Sequence, residues 1–212
     1  MSFGYSFTKA SEVGQLTFGF GATHKTEIRS LSVDGGTITT TKEAERDTQR
    51  SFLDLGMRRF RSNRWFTGYK LGFESNDELG LQLRTSLGAG VGRFLVQTSS
   101  SELALIGGVV VTNEELAGAV SSQDNVEGMV GVRYAKFHFD DPKVDLTMEF
   151  TAYPSFSESG RVRAQFDAKI RRELFHDLFW DITYYNTYDS DSSSGTDATS
   201  DYAVVTSLGW TF

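Results

Sequence analysis

The chain has 212 residues, a formal net charge of −7 and no cysteine, and 39% of its residues are hydrophobic. This length suits a single β-barrel domain, and the hydrophobic content excludes an intrinsically disordered chain. The absence of cysteine excludes a disulfide scaffold and a catalytic thiol, and the acidic balance argues against a nucleic-acid-binding protein. The mean hydropathy of −0.31 argues only against a helical membrane protein, because a strand that crosses a membrane needs apolar residues at alternate positions alone.

The chain contains no segment that predicts a transmembrane helix or a secretory signal. No apolar run approaches the length of about 18 residues that such a helix needs. Residues 1–3 lead directly into patterned sequence, without the basic start and apolar stretch of a signal peptide. Either the protein is cytosolic or an export signal was removed before this chain was defined, and the strand pattern described next favours the second alternative.

Apolar and polar residues alternate with a period of two along almost the whole chain. This period is typical of strands that have one apolar and one polar face, and it predicts about twelve of them. In chain order, we place their apolar faces in residues 3–7, 16–22, 31–33, 53–57, 65–73, 79–91, 103–111, 126–134, 144–150, 162–170, 180–184 and 202–212. The third strand has the poorest pattern, and Gly35-Gly36 predicts a β-bulge in it.

The alternation does not by itself say which face points into the barrel. In a soluble barrel the apolar face forms the core, whereas in an outer-membrane barrel it faces lipid and the polar face lines the lumen. Alternating runs of about ten residues favour the membrane form, since that length crosses a bilayer at a tilt. The polar faces carry charges of both signs, which we predict to line the lumen: Asp54, Arg58, Lys70, Glu74, Arg84, Glu127, Arg133, Asp145, Glu149, Arg163, Asp167, Lys169, Arg171 and Asp181.

The predicted connections differ in length between the two ends of the barrel. Those after even-numbered strands are short, near residues 24–25, 62–63, 99–101, 141–143 and 175–177, and we call this side the turn end. Several after odd-numbered strands are long, at residues 34–50, 113–125 and 189–200, and we call that side the loop end. Short periplasmic turns and longer extracellular loops are typical of an antiparallel up-and-down outer-membrane barrel, whose even strand number places both termini at the turn end.

Aromatic residues mark the turn end and the last strand. Trp65, Trp180, Trp210 and Phe212 fall at the turn end, where we predict an interfacial aromatic girdle, with Phe60 and Phe179 nearby. The candidates for a second girdle at the loop end are Tyr5, Phe73, Tyr153, Tyr188 and Tyr202. The alternating final strand resembles the carboxy-terminal signal that the assembly machinery of Gram-negative outer membranes recognises. The residues that carry this signal are Val204, Leu208, Trp210 and Phe212. The alternative is an ordinary edge strand that ends the chain.

Four further segments resemble one protein family. They are residues 81–92, with the sequence LQLRTSLGAGVG, Arg64-Trp65-Phe66 at the start of a strand, residues 101–105 and residues 189–191. These segments are similar to the salt-induced outer-membrane proteins that carry domain of unknown function 481. The resemblance covers residues 3–212 and is weakest at residues 26–47. It implies a single all-β barrel in a bacterial outer membrane, and it supplies no catalytic residue to carry over.

The histidines do not predict a catalytic or metal site. His24, His138 and His176 lie near three different predicted turns, whereas a metal site needs its ligands to converge. A Ser-His-Asp triad needs a histidine directed at a serine, and the predicted loop end contains no histidine. We therefore expect no enzymatic activity, no bound cofactor and no metal.

The last predicted loop is acidic, with Asp189, Asp191, Asp197 and Asp201. The spacing of the first two is similar to part of a calcium-binding loop, but the glycine and the terminal glutamate of that motif are missing. We interpret the segment as a solvated surface loop. The glycines at positions 88, 90 and 92 alternate within a strand, which is not a dinucleotide-binding turn, and we expect them to leave space for bulky lumen neighbours.

The predicted lumen charges leave two roles open. They could line a narrow pore for ions or small solutes, or they could pair across the lumen and close it. Because the two signs are balanced, we favour an outer-membrane barrel with a narrow or closed lumen and a structural or salt- and osmotic-stress role. The alternatives are a porin-like channel and a soluble β-barrel binding protein. The partners we expect are outer-membrane lipid, lipopolysaccharide and the barrel assembly machinery, and no nucleic acid.

Overall fold

The computed structural model describes residues 2–8, 13–42, 47–118, 122–175, 177–190 and 200–210. Within these residues, twelve antiparallel strands form one closed barrel, and a short 3-10 turn at Ser62–Arg64 is the only other regular element. Each strand pairs with its neighbours in the chain, and β1 pairs with β12 to complete the ring. The predicted all-β up-and-down barrel is confirmed. No helix in this described part of the chain is long and apolar enough to cross a membrane.

Most strands are longer than the apolar segments that predict them. They are β1 (Ser2–Thr8), β2 (Val13–Lys25), β3 (Arg29–Lys42), β4 (Thr48–Phe60), β5 (Trp65–Asn76), β6 (Leu81–Gln97), β7 (Ser101–Leu116), β8 (Gln123–His138), β9 (Val144–Pro154), β10 (Val162–Phe175), β11 (Leu178–Asp189) and β12 (Ser200–Trp210). Each strand from β2 onward has the length of about ten residues that a tilted crossing of a bilayer needs.

The connections are less unequal than the sequence predicts. Residues 34–50 are not a loop, because β3 continues to residue 42 and β4 begins at residue 48. Residues 113–125 are likewise mostly strand. These segments carry few apolar residues, so their side-chain pattern does not predict strands. Their backbone groups nevertheless form hydrogen bonds with neighbouring strands, and this pairing lengthens the strands beyond the predicted segments. The connection at residues 190–199 remains long, and those at the turn end are short.

β3 is regular through Gly35 and Gly36, so the predicted bulge is wrong. The two glycines make room for aromatic rings instead. The ring of Phe20 lies 2.5 Å from the point that a Cβ of residue 35 would occupy, and the ring of Phe52 lies 3.1 Å from that of residue 36. A register shift does occur in β6 directly after Leu81, and it turns Leu81 from its predicted outward position into a buried one.

The apolar face of the barrel points outward. Leu87, Val130 and Val204, on three separate strands, are each at least 60% exposed. Other exposed side chains of the same face are Leu16, Phe18, Phe20, Leu31, Val33, Leu55, Met57, Tyr69, Val91, Leu105, Val109, Val111, Val126, Met148, Phe150, Ile170 and Leu208. They form a band around the barrel, which we call the apolar band. Its orientation is the reverse of that in a barrel whose apolar face forms the core.

Candidate functional site in the barrel interior

The predicted lumen charges alternate with the apolar band along their strands, and they fall into groups at different heights. Glu74, Arg84, Glu127 and Arg163 lie near the loop end, whereas the remaining charges lie in the middle of the barrel or towards the turn end. The two groups differ in burial and in the number of their partners, and so they are described separately.

Arg161 lies at the centre of the loop-end group. It directly precedes β10, and its Nε and Nη2 atoms donate to the two carboxylate oxygens of Asp189, at 3.1 and 2.7 Å. The same Nη2 atom donates to Oε2 of Glu114 on β7 at 2.9 Å, and Nη1 donates to Glu158 at 2.9 Å. Because β7, β10 and β11 are not all neighbours, Arg161 joins separate parts of the wall through the interior.

Arg84 on β6 uses the same two carboxylates. Its Nε atom donates to Oε1 of Glu114 at 2.7 Å, and its Nη1 atom donates to Oε2 of Glu74 at 3.3 Å. Its Nη2 atom lies 3.6 Å from Oδ2 of Asp189. Since β6 and β11 are on opposite sides of the ring, this contact spans the barrel. Glu114 therefore holds two guanidinium groups at once.

Two more arginines complete the group. Arg163 makes a bidentate ion pair with Glu127, in which the Nε atom donates to Oε1 at 2.7 Å. Arg50 on β4 donates from Nη2 to Glu74 at 3.4 Å and to the hydroxyl of Thr187 on β11 at 3.3 Å. This second contact also crosses the ring. We call the set Arg50, Glu74, Arg84, Glu114, Glu127, Arg161, Arg163 and Asp189 the loop-end network.

The loop-end network is almost completely removed from solvent. Glu114 and Glu127 have no exposed surface, and Arg84, Arg161, Arg163 and Asp189 are each at most 5% exposed. Removing such charges from water is costly, and the cost is offset only when each charge has close, well-oriented partners. The bidentate and shared contacts meet that condition, so the network forms a fixed layer of ion pairs across the barrel.

Two of the four aspartates of the last predicted loop, Asp189 and Asp201, are not solvated as we expect from the sequence. Asp189 is buried in the loop-end network, and Asp201 accepts a hydrogen bond of 2.9 Å from Nδ2 of Asn76 on β5. Asp191 and Asp197 lie outside the described residues. Tyr153, a candidate for the loop-end girdle, is also inside the barrel, where the guanidinium of Arg163 stacks 5.0 Å from its ring.

Two ion pairs in the middle of the barrel are hydrated. Lys70 lies 3.0 Å from Oδ2 of Asp54, and the side chain of Lys70 is 52% exposed. Arg133 lies 3.5 Å from Glu149, whose side chain is 47% exposed. Because these side chains occupy positions that alternate with the apolar band, the surface they expose faces the interior. The middle of the barrel therefore contains space that water can enter.

Asp181 connects this middle region to the turn end. It has no exposed surface, and it lies 2.9 Å from Nζ of Lys169 and 3.0 Å from Nε of Arg171. The guanidinium of Arg171 in turn lies 3.8 Å from the ring of Phe179. The guanidinium of Arg58 similarly lies over the ring of Phe66. Asp145 and Asp167 occupy inward positions on β9 and β10, each next to a charge on the paired strand.

Aromatic rings occupy the inner wall at the turn end. Phe66 and Phe94 are buried with their ring centroids 4.9 Å apart, and Phe60 packs on Phe94. The ring of Phe66 lies directly on Gly92, where a side chain would overlap it. The expectation that the alternating glycines leave space for bulky neighbours is met here. We call Phe60, Phe66, Phe94, Ala104 and Ile106 the turn-end cluster.

Phe60 and Phe179 thus point inward and do not join the outer girdle. Trp65, Trp180 and Trp210 do point outward at the turn end, and each is exposed. The indole of Trp180 donates a hydrogen bond of 2.6 Å to Thr206. Val204 and Leu208 of the predicted assembly signal also face outward, whereas Phe212 lies outside the described residues.

The chemistry that these groups can perform is electrostatic. In the part of the chain that the structure describes, no three histidine, aspartate or glutamate side chains are arranged to hold a metal ion. His24 and His138 lie on β2 and β8, and His176 lies outside the described residues. Arginine and carboxylate groups that are already paired can seal the barrel, and they can orient charged solutes when the pairs separate.

Sequence reasoning missed four members of the loop-end network, namely Arg50, Glu114, Arg161 and Asp189. Arg50, Glu114 and Asp189 fall in segments that the sequence predicts as loops. Arg161 continues the polar face of the tenth predicted strand, but it directly precedes the strand and is not among the predicted lumen charges. One signal could have found Glu114, since the inward alternation of β7 continues through Thr112 to this residue. No local pattern pairs it with Arg161.

One protein family, described as protein of unknown function, DUF481, has a family model that matches residues 1–212, which is the whole chain. A search of curated proteins gave no match.

Proposed function

The chain belongs to the DUF481 family, and from that premise we propose that it spans a bacterial outer membrane as a β-barrel with a closed interior and a structural or osmotic-stress role. The observation that carries the proposal is the apolar band. A closed barrel satisfies all of its backbone groups internally, and it is one of the two kinds of structure that can cross a bilayer.

The position of the tryptophans is consistent with this placement. Trp65, Trp180 and Trp210 lie at one end of the apolar band, where indole rings would meet the boundary between lipid and water. The partners that we propose are outer-membrane lipid, lipopolysaccharide and the barrel assembly machinery, which would bind β12 through Val204, Leu208, Trp210 and Phe212.

The loop-end network supports a closed resting state. Its contacts join β4 with β11, β6 with β11 and β7 with residue 161, so side chains cross the space through which a solute would pass. We propose no enzymatic activity, because most of the predicted lumen charges are engaged with one another in ion pairs.

A small-solute or ion channel is the second candidate, and the hydrated middle of the barrel favours it. The exposed side chains of Lys70 and Glu149 could interact with ions that enter from the turn end. In this form the protein would conduct only after the loop-end network opens.

Membrane insertion is the first test. The urea-unfolded chain is diluted into phospholipid vesicles or into buffer alone, and the product is examined by vesicle flotation and by electrophoresis with and without heating. We expect the protein to float with the vesicles. In electrophoresis the unheated protein should migrate as a compact folded form, and this form should be lost on boiling. A monodisperse, folded protein in buffer without detergent or lipid would contradict the membrane proposal and favour a soluble barrel.

Conductance separates the closed barrel from the channel. The protein that has inserted is transferred to a planar bilayer, and current is recorded over a range of voltages. We expect no steps above background for the wild-type chain. Regular steps would favour the channel instead.

A further inference from the structure

We propose that the turn end carries a basic rim that binds the phosphate groups of anionic phospholipids in the leaflet next to the turns. This inference rests on the proposed membrane placement, and it adds a lipid-binding surface with a stated headgroup chemistry. The surface is defined by five residues on the outside of the barrel, which we call the basic rim: Arg29, Arg59, Arg93, Lys136 and Arg172.

The basic rim follows directly from where the apolar band ends. On β3 the outward residues towards the turn end are Val33, Leu31 and then Arg29, and on β4 Arg59 follows Met57 in the same way. Arg93, Lys136 and Arg172 hold the equivalent position on β6, β8 and β10. Each of the five is exposed. The first outward residue beyond the apolar band is therefore a cation on several strands around the ring.

The basic rim has no acidic partner of its own. Arg29 and Arg59 are paired directly across β3 and β4, an arrangement of like charges that destabilises a sheet. Arg93 lies 5.6 Å from the ring of Trp65, and Arg172 is paired with Trp180. Among the residues that the structure describes, none of these four arginines forms an ion pair with a carboxylate. An external anion would relieve the repulsion between Arg29 and Arg59.

The other end of the apolar band has a different composition. The first outward polar positions towards the loop end are neutral or acidic: Thr37, Ser51, Ser75, Asn113, Asp124 and Asn186. The whole chain has a net charge of −7, so the basic rim is not a consequence of overall composition. Among the residues that the structure describes, the surplus of cations on the outer surface therefore lies at the turn-end edge of the apolar band.

Phosphate is the ligand that fits this edge. Guanidinium groups bind phosphate oxygens with two parallel hydrogen bonds, and tryptophan places its ring at the depth of the lipid headgroups. A zwitterionic headgroup brings its own ammonium group, which competes with the arginines. A headgroup with net negative charge brings none, and the basic rim is therefore expected to select anionic phospholipids over zwitterionic ones.

The three tryptophans provide the test, because they are the only ones in the chain and all three lie at the same edge as the basic rim. The protein is refolded into vesicles of phosphatidylcholine with a minor share of phosphatidylglycerol, and either one lipid or the other carries bromine on its acyl chains. Bromine quenches tryptophan fluorescence at short range. The quenching ratio therefore gives the local enrichment of each lipid beside the basic rim.

We expect phosphatidylglycerol to be enriched roughly fivefold beside the tryptophans in the wild-type protein. In the triple variant Arg29→Gln/Arg59→Gln/Arg93→Gln the enrichment should fall close to onefold. The matched control, Thr41→Glu/Gln49→Glu/Gln123→Glu, changes the net charge equally at the loop end and should keep the wild-type enrichment. A parallel measurement in added inorganic phosphate should leave the enrichment unchanged, which distinguishes lipid binding from capture of the free ion.

The outcomes separate this inference from the proposed function. A wild-type protein that inserts into vesicles but shows equal quenching by both lipids overturns the basic rim and leaves the membrane placement intact. Enrichment that survives in the arginine variant, or that is lost equally in the control, also overturns it. Failure of the wild-type chain to insert into any vesicle overturns both.

Discussion

The loop end and the turn end of the barrel interior fill the same kind of space with opposite chemistry. At the loop end, the loop-end network places buried arginines and carboxylates in contact across the ring, with Arg84 and Asp189 on opposite walls. At the turn end, the turn-end cluster packs aromatic rings against a neighbouring glycine, and its members all come from adjacent strands, β4 to β7. Ion pairs therefore cross the interior at the loop end, whereas at the turn end aromatic rings cover only one side of the inner wall.

This difference shows what each chemistry requires. A ring needs only a space of the right shape, and Gly92 supplies it by having no side chain. A buried charge needs all of its partners, because the loss of one leaves the others desolvated and unpaired. The loop end should therefore respond to single substitutions more strongly than the turn end, and the following experiments test that ranking.

The largest effect is expected for Glu114→Ala. This change removes one of the two carboxylates that Arg84 and Arg161 share, in a site with almost no exposed surface. We expect the free energy of unfolding, measured by urea titration in vesicles, to fall by about 3–5 kcal/mol. The same variant should show conductance steps if the loop-end network closes the interior.

Glu115→Ala is the matched control, since Glu115 is the next residue on β7 and is exposed. It should unfold like the wild-type chain and remain closed. Equal losses in the two variants would show that the loop-end network is not the source of stability at this end.

A smaller effect is expected for Phe66→Ala at the turn end. The substitution removes a buried ring from Phe94 and Gly92 and should lower the free energy of unfolding by about 2–3 kcal/mol, because water can fill the adjoining interior. Conductance should stay at background. Phe139→Ala, which truncates an exposed ring in a turn, should have little effect on either measurement. Steps in Phe66→Ala would mean that the turn end also contributes to closure.

The interaction energy between Arg133 and Glu149 should be smaller than the two losses of unfolding free energy given above. Their atoms lie 3.5 Å apart and both side chains are well hydrated, so a double-mutant cycle with alanine should give less than about 1 kcal/mol. The same cycle for Arg163 and Glu127, which are buried, should give a several-fold larger value. Similar coupling energies for the two pairs would remove the distinction between a sealed loop end and a hydrated middle.

The smallest effect is expected in the connection between β8 and β9, at the turn end. Lys143 donates a hydrogen bond to Glu173 at 2.8 Å, and this bond raises the pKa of Lys143 above its ordinary value of 10.5. A raised lysine pKa stabilises the folded state fully below the unfolded-state pKa, and this stabilisation is lost as the pH rises through the folded-state pKa.

The variant Lys143→Ala should accordingly differ slightly from the wild-type chain at neutral pH, and this difference should be lost as the pH rises above the ordinary pKa of lysine. Urea titrations over this range measure it. A difference that grows above pH 10 would contradict the assignment of the pair.

The outward direction of the apolar band follows from the sequence by a short argument. Long runs with a period of two, such as those that contain Leu53 to Met57 and Val126 to Val132, predict strands with two different faces. Charges of both signs opposite them predict a polar interior. Lys70 and Asp54 are found there as expected, and Trp65 and Trp180 face outward at the end where the sequence places them.

The loop-end network could not be derived in the same way. Glu114 and Asp189 fall in stretches that contain few apolar residues, so their strands have no visible continuation in the sequence. The register shift after Leu81 also reverses the expected direction of one side chain without any mark in the pattern. Alternation predicts on which face of the sheet a side chain lies only as long as the strand has no register shift.

The sequence by itself determined the number of strands, the two faces of the wall and the end at which the tryptophans lie, because each of these depends on residues that are close in the chain. Only the tertiary structure decided which charges meet. Arg84 and Asp189 approach because a closed ring sets β6 opposite β11, and the register of all the strands between them sets both at the same height. The relative height of Arg84 and Asp189 depends on the register of every strand pair between them, so it cannot be derived from any single segment of the chain.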